Sequence, residues 1–65
     1  MKFKSSNLKE SVYVDGVLTM TFNNGNVYEY YDVPEEVVNK LYAAPSAGSF
    51  FYSNIRTRYK FRKKE

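Results

Sequence analysis

The sequence predicts an α+β fold: a three-stranded antiparallel β-meander packed by two helices, with an extended basic C-terminal segment. Three observations lead there. Asp15-Gly16 separates two runs of β-branched, aromatic and polar residues. A second turn, Asn23-Asn24-Gly25-Asn26, opens into the alternating stretch Val27-Tyr28-Glu29-Tyr30-Tyr31. Beyond Pro34 the apolar spacing changes from two residues to three and four, the helical period.

The elements follow in order. Val12-Tyr13-Val14 has strand chemistry, and Asp-Gly after it is a strong hairpin signal because both turn positions must tolerate positive φ. Val17 to Phe22 alternates, with Leu18, Met20 and Phe22 on one face and Val17, Thr19 and Thr21 on the other. Two registers are compatible with the first hairpin. A two-residue loop pairs Tyr13 with Leu18, whereas a three-residue loop pairs Val14 with it, and the choice exchanges the faces of Val12 and Val14. Val27 to Tyr31 supplies the third strand, with Tyr28 and Tyr30 opposite Val27, Glu29 and Tyr31.

Asp32-Val33-Pro34-Glu35-Glu36 announces a helix. Asp32 is suited to cap the first free amides, Pro34 is tolerated in a first turn, and the two glutamates complement the positive helix end. Val37, Val38, Leu41 and Tyr42 form the apolar stripe, and Pro45 disfavours helical geometry at Ala44, ending the helix there. Ser46 is placed to cap a second helix running to about Arg56, with Ala47, Phe51 and Ile55 four apart on one face. Tyr59 and Phe61 then alternate with Arg58, Lys60 and Arg62.

Size and composition bound the rest. The 65 residues read as one domain, residues 1–65, with 1–5 expected to be loose and 57–65 a basic tail. A chain this short buries only about 60% of its unfolded surface. With no cysteine and no histidine, neither disulfides nor the commonest metal ligands and general base are present, so no cofactor and no metal is expected. Seven Tyr and five Phe carry the packing instead, each ring able to bury roughly 150–250 Å². There is no long apolar run and no charged-then-apolar start, so a cytoplasmic protein without membrane contact is expected. The net charge of +3 is unevenly spread. Residues 56–65 carry six basic residues against Glu65, a local +5, while residues 1–55 sum to −2. Such asymmetry is a hint of an anionic partner, but on pattern alone a solvated terminal tail is the preferred reading.

Several spacings together resemble a known family. Ser6-Asn7-Leu8 is followed by Leu18-x-Met20-x-Phe22-x-x-Gly25-x-x-Tyr28-x-Tyr30-x-x-Val33-Pro34. Then come Leu41-x-x-Ala44-x-Ser46-x-Gly48-x-Phe50-Phe51 and Ile55-Arg56-x-x-Tyr59-x-Phe61-Arg62. This order is similar to the KTSC domain, which is named for its occurrence at the C-terminus of some lysyl-tRNA synthetases and is also free-standing in bacteria and phages. The resemblance implies a small non-catalytic domain, and the synthetase context implies RNA as a partner. Three departures stand out: a first hairpin shorter than the family's, Ala47 where lysine is common, and Tyr52 where asparagine often follows the aromatic pair.

The candidate functional residues are each set against a structural role. Tyr28 and Tyr30 share a strand face, as stacking platforms for unpaired bases require, but the same alternation buries a sheet against helices, and core is the preferred reading. Tyr13 and Tyr31 are then the better candidates for an open face, provided the register of the first hairpin allows it. Ser46 and Gly48 at a helix start offer an anion contact through free amides; a serine cap with close glycine packing is the preferred alternative. Arg56, Arg58, Tyr59, Lys60, Arg62, Lys63 and Lys64 form the leading nucleic-acid-binding candidate, with cations for phosphates and the rings anchoring the segment. Alternation there directs Arg58, Lys60 and Arg62 to solvent. Glu35 and Glu36 are adjacent on a helix and diverge, so they make a poor acid–base pair, and an enzyme is the least supported class. The expectation is therefore RNA binding, with a protein–protein interaction module as the alternative, such as a phage or prophage protein that docks on an acidic host protein and inhibits or redirects it.

Overall fold

The computed structural model describes residues 1–64. Strands β1 (Leu8–Val14), β2 (Val17–Phe22) and β3 (Val27–Tyr30) are followed by helices α1 (Glu35–Ala43) and α2 (Ala47–Asn54) and by β4 (Phe61–Lys64). The sheet is antiparallel, in the order β1-β2-β3-β4. The α+β class and the meander are as predicted, but the basic segment is a fourth strand of the sheet. It joins because β3 otherwise ends the sheet with unpaired backbone groups, and β4 satisfies them from Val27 to Tyr30.

The first hairpin takes the two-residue loop, pairing Tyr13 with Leu18 and Val14 with Val17. Asp15 (φ 50°) and Gly16 (φ 81°) both occupy the left-handed region, as a tight right-twisting hairpin demands. Val12 and Val14 consequently face outward, 57% and 59% exposed. Tyr13 turns inward, where its hydroxyl donates to the Val33 carbonyl, so this register does not leave it on an open face. Near its start β1 carries a bulge: Leu8 pairs with Phe22 and Glu10 with Thr21, leaving Lys9 as the extra residue. That shift of phase lets Leu8 and Ser11, an odd distance apart, both turn to the helices, where both are buried.

Residues 1–3 are also tied down, contrary to the expectation of a loose end. The Ser11 amide donates to the Met1 carbonyl (2.8 Å) and the Phe3 amide to the Lys9 carbonyl (3.0 Å), and the Phe3 ring packs on Tyr42. The segment covers the start of the β1 edge, which would otherwise be open to pairing.

Both helices lie on one face of the sheet. Between the layers sit Leu8, Leu18, Met20, Tyr30, Val33, Val38, Leu41, Phe51 and Ile55, all buried, each large side chain there contributing about 1.5–3 kcal/mol. Asp32 does not cap α1: it takes a left-handed conformation (φ 56°), and Pro34 stands at the cap position without a side-chain bond. The reason lies in the link to the hairpin. The Val33 amide donates to Gly16 (2.9 Å), and this turns the chain before the helix begins. Ala44 is extended (ψ 138°), as Pro45 requires. Ser46 caps α2 by accepting from the Ser49 amide at 3.3 Å. No helix among the described residues is long and apolar enough to cross a membrane.

Candidate nucleic-acid interface

Strand pairing decides where the basic residues point. Residues directly opposite share a face, and Tyr30 is buried against the helices, so its partner Phe61 stands on the helix side, as does Lys63 opposite Tyr28. Arg62 and Lys64, opposite Glu29 and Val27, fall on the outer face. The alternation thus holds for Phe61 and Arg62, but the cations do not all face one way. Arg62 ion-pairs with Glu29 at 3.4 Å, the only such pair among the described residues. Arg58 and Lys60 are exposed in the link before β4. There the Arg58 amide donates to Ile55 (3.1 Å), and the Lys60 carbonyl accepts from Tyr31 (2.9 Å). Tyr59 packs against the core, so it anchors the segment.

On the helix side an aromatic cluster joins β2, β3, α2 and β4. Tyr28 and Tyr30 stack (6.4 Å between centroids), Phe22 meets Tyr28 edge-on at 5.6 Å, and Tyr30 meets Phe51 edge-on at 5.3 Å. Phe61 lies 5.8 Å from Tyr28 and 5.7 Å from Tyr30. The core reading of Tyr30 agrees with its 3% exposure. Burial, joined by the neighbouring Tyr28 hydroxyl, pushes the Tyr30 hydroxyl up to about 12. Phe61 remains 55% exposed and Tyr52 40%. Arg56 lies just past the end of α2, its amide donating to the Phe51 carbonyl (2.9 Å), and its guanidinium lies over the Tyr52 ring, 5.0 Å from its centroid, a cation–π contact. In the sequence Tyr52 stood out only as a departure from the family pattern, and Asn24 and Asn26 only as turn residues. The three come together with Phe22, Tyr28, Tyr30, Arg56 and Phe61 around a groove of about 490 Å³.

A second cleft, of about 510 Å³, brings the two serine motifs together: Ser5, Ser6 and Asn7 face Ser46, Gly48 and Ser49. The polar groups here are largely engaged. Ser5 Oγ accepts from the Asn7 and Leu8 amides, and Ser46 is spent on Ser49. Gly48 allows a close approach, since a Cβ there would stand 3.2 Å from Ser5 Oγ, a tight contact. Each feature has a structural purpose, with Lys4 the one cation of the lining.

Comparison with known proteins places the chain. The pattern of the KTSC domain matches residues 4–59, ending before β4. The chain is 40% identical over 63 residues to a lysine–tRNA ligase of Trichormus variabilis, covering 94% of this chain and 11% of that one. It is 38% identical over 63 residues to that of Nostoc punctiforme, with the same coverage of 94% and 11%. It thus spans about a tenth of the length of these enzymes. A KTSC domain protein from Yersinia pestis has the same fold, with a TM-score of 0.91 at 29% identity over 100% of this chain and 94% of that one. The chain belongs to the KTSC domain family.

Proposed function

We propose that this domain binds single-stranded RNA through its basic C-terminal segment, residues 56–64, and catalyses no reaction itself. The observation that carries this reading is a gathering of cations in residues 56–64, with Lys63 and Lys64 at the end of the sheet away from four acids. Lys60, however, lies beside Tyr31 at the acidic end, and Glu10 opposite Thr21 at the basic one. Asp15 caps the first hairpin, Asp32 lies in the link bonded to Gly16, and Glu35 and Glu36 start α1 beside it. Lys63 and Lys64 pair with Tyr28 and Val27, next to the Asn23–Asn26 turn at the other end of the sheet. Phosphates are drawn to such a pole, and Lys or Arg contacts release their counterions. Relatives named as tRNA ligases agree with the reading.

The test is a titration of a fluorescent single-stranded RNA with the full chain at several salt concentrations. Each lost phosphate contact should lower the slope of log K against log salt by about 0.7. A variant carrying Arg58→Gln, Lys60→Gln and Lys63→Gln is expected to bind more weakly and with a shallower slope; equal binding and slope would defeat the proposal.

A protein-docking role has one observation in its favour, the outward Val12 and Val14 on β1. Binding through that patch would persist in salt that abolishes RNA binding.

A further inference from the structure

The groove between the end of α2 and strands β3 and β4 is lined mainly by aromatic rings. Five of its residues are aromatic (Phe22, Tyr28, Tyr30, Tyr52 and Phe61). The others are Asn24, Asn26, Thr57 and Arg56, with no aliphatic side chain and, among the described residues, no acid. A flat π-system would find ring faces and edges here. Carboxamides of the kind carried by Asn24 and Asn26 suit the donor and acceptor edge of an unpaired base. The Arg56 guanidinium on Tyr52, with Lys63 on the same side of the sheet opposite Tyr28, disfavours a cationic ligand and favours an anionic one. At about 490 Å³ the groove falls within the range of small-ligand clefts, about 300–1,000 Å³.

We infer that this groove seats an unpaired nucleobase of a single-stranded nucleic acid, stacked on Phe61 or Tyr52, with Arg56 and Lys63 on the adjoining phosphates. Tyr28 and Tyr30 form the wall rather than the stacking surface, because they are committed to the core cluster. Phe61 and Tyr52 keep the greatest ring exposure, so they carry the contact. The inference rests on the RNA-binding reading above and adds the base to the phosphates.

An abasic strand separates the two. The full chain is titrated with a short single-stranded RNA of mixed sequence and with a strand of equal length lacking bases, both at low salt. The intact strand is expected to bind at least about five-fold more tightly, the lower end of what base–aromatic stacking supplies. Phe61→Leu and, separately, Tyr52→Leu should bring that ratio towards one while affinity for the abasic strand is unchanged. Both side chains are exposed, and thermal melting identifies any variant that fails to fold; the other then decides. Equal binding of both strands by the unsubstituted chain would overturn the groove inference and leave the phosphate reading standing. Binding of neither strand would overturn both. An undiminished ratio in both folded variants would remove Phe61 and Tyr52 as the stacking residues and with them the inference.

Discussion

Ser11 Oγ lies 2.9 Å from the Tyr42 hydroxyl, joining β1 to α1 by a side-chain hydrogen bond. Ser11 is 2% exposed, the one buried polar residue among the core positions. Its hydroxyl has no other side-chain partner among the described hydrogen bonds. Tyr42→Phe should therefore strand it, at a cost of about 1–3 kcal/mol. Ser11→Ala together with Tyr42→Phe should cost less than the two single changes added. Urea denaturation of the three variants measures the coupling, and strict additivity would show that the bond contributes nothing.

The raised pKa of Tyr30 sets a pH dependence. Its hydroxyl ionises at about 12 when folded and at 10.0 in the unfolded reference. Below pH 10 both states hold the proton and the contribution is complete. As pH rises from 10 towards 12 the unfolded chain releases its proton first, so stability falls, by on the order of 2 kcal/mol at the end of the window. Tyr30→Phe should show a smaller loss over the same window in denaturant melts. An unchanged loss would assign the alkaline effect to other groups.

Ending the chain at Lys60 tests whether residues 61–64 are a strand or a tail. Truncation removes the β3–β4 ladder and the Phe61 ring from Tyr28 and Tyr30. The expected loss is roughly 1–3 kcal/mol, about 4–8 °C in melting temperature for each kcal/mol. A solvated tail would leave the melting temperature where it is.

Ser46 caps α2 through the Ser49 amide. Ser46→Ala should cost about 1 kcal/mol, and Ser46→Asp should retain most of the stability because aspartate caps as well. Thermal melts decide. If phosphate stabilised the unsubstituted chain but not Ser46→Ala, the residue would be an anion contact as well as a cap.

Glu29 holds Arg62 on the outer face, where Arg62 is 74% exposed and Glu29 20%. Such a pair contributes little, so Glu29→Gln should alter stability by less than about 1 kcal/mol. It should raise RNA affinity, since a negative charge is removed and a guanidinium released. Lower affinity would mean that Glu29 positions Arg62 for binding.

What the sequence determined by itself was local and periodic. Asp15-Gly16 and the alternation after it specify a hairpin, the three-and-four spacing of Val37, Val38 and Leu41 specifies a helix, and Pro45 specifies its end. These are backbone preferences of neighbouring residues, and no distant contact is needed to read them. The basic residues of the proposed interface were legible for the same reason, as a run along the chain. Tertiary structure decided the rest. Residues 57–65 read as an extended basic tail, and only the open edge of β3, far away in sequence, made Phe61 to Lys64 a strand. That pairing divided the cations between two faces. The bulge at Lys9 moved Ser11 into the core, and the bond from Val33 to Gly16 turned Asp32 away from its cap. The aromatic groove gathers residues from Phe22 to Phe61 with no periodicity linking them. Its position depends on where α2 lies against β3 and β4, a consequence of burying Phe51 and Ile55 that no local spacing encodes.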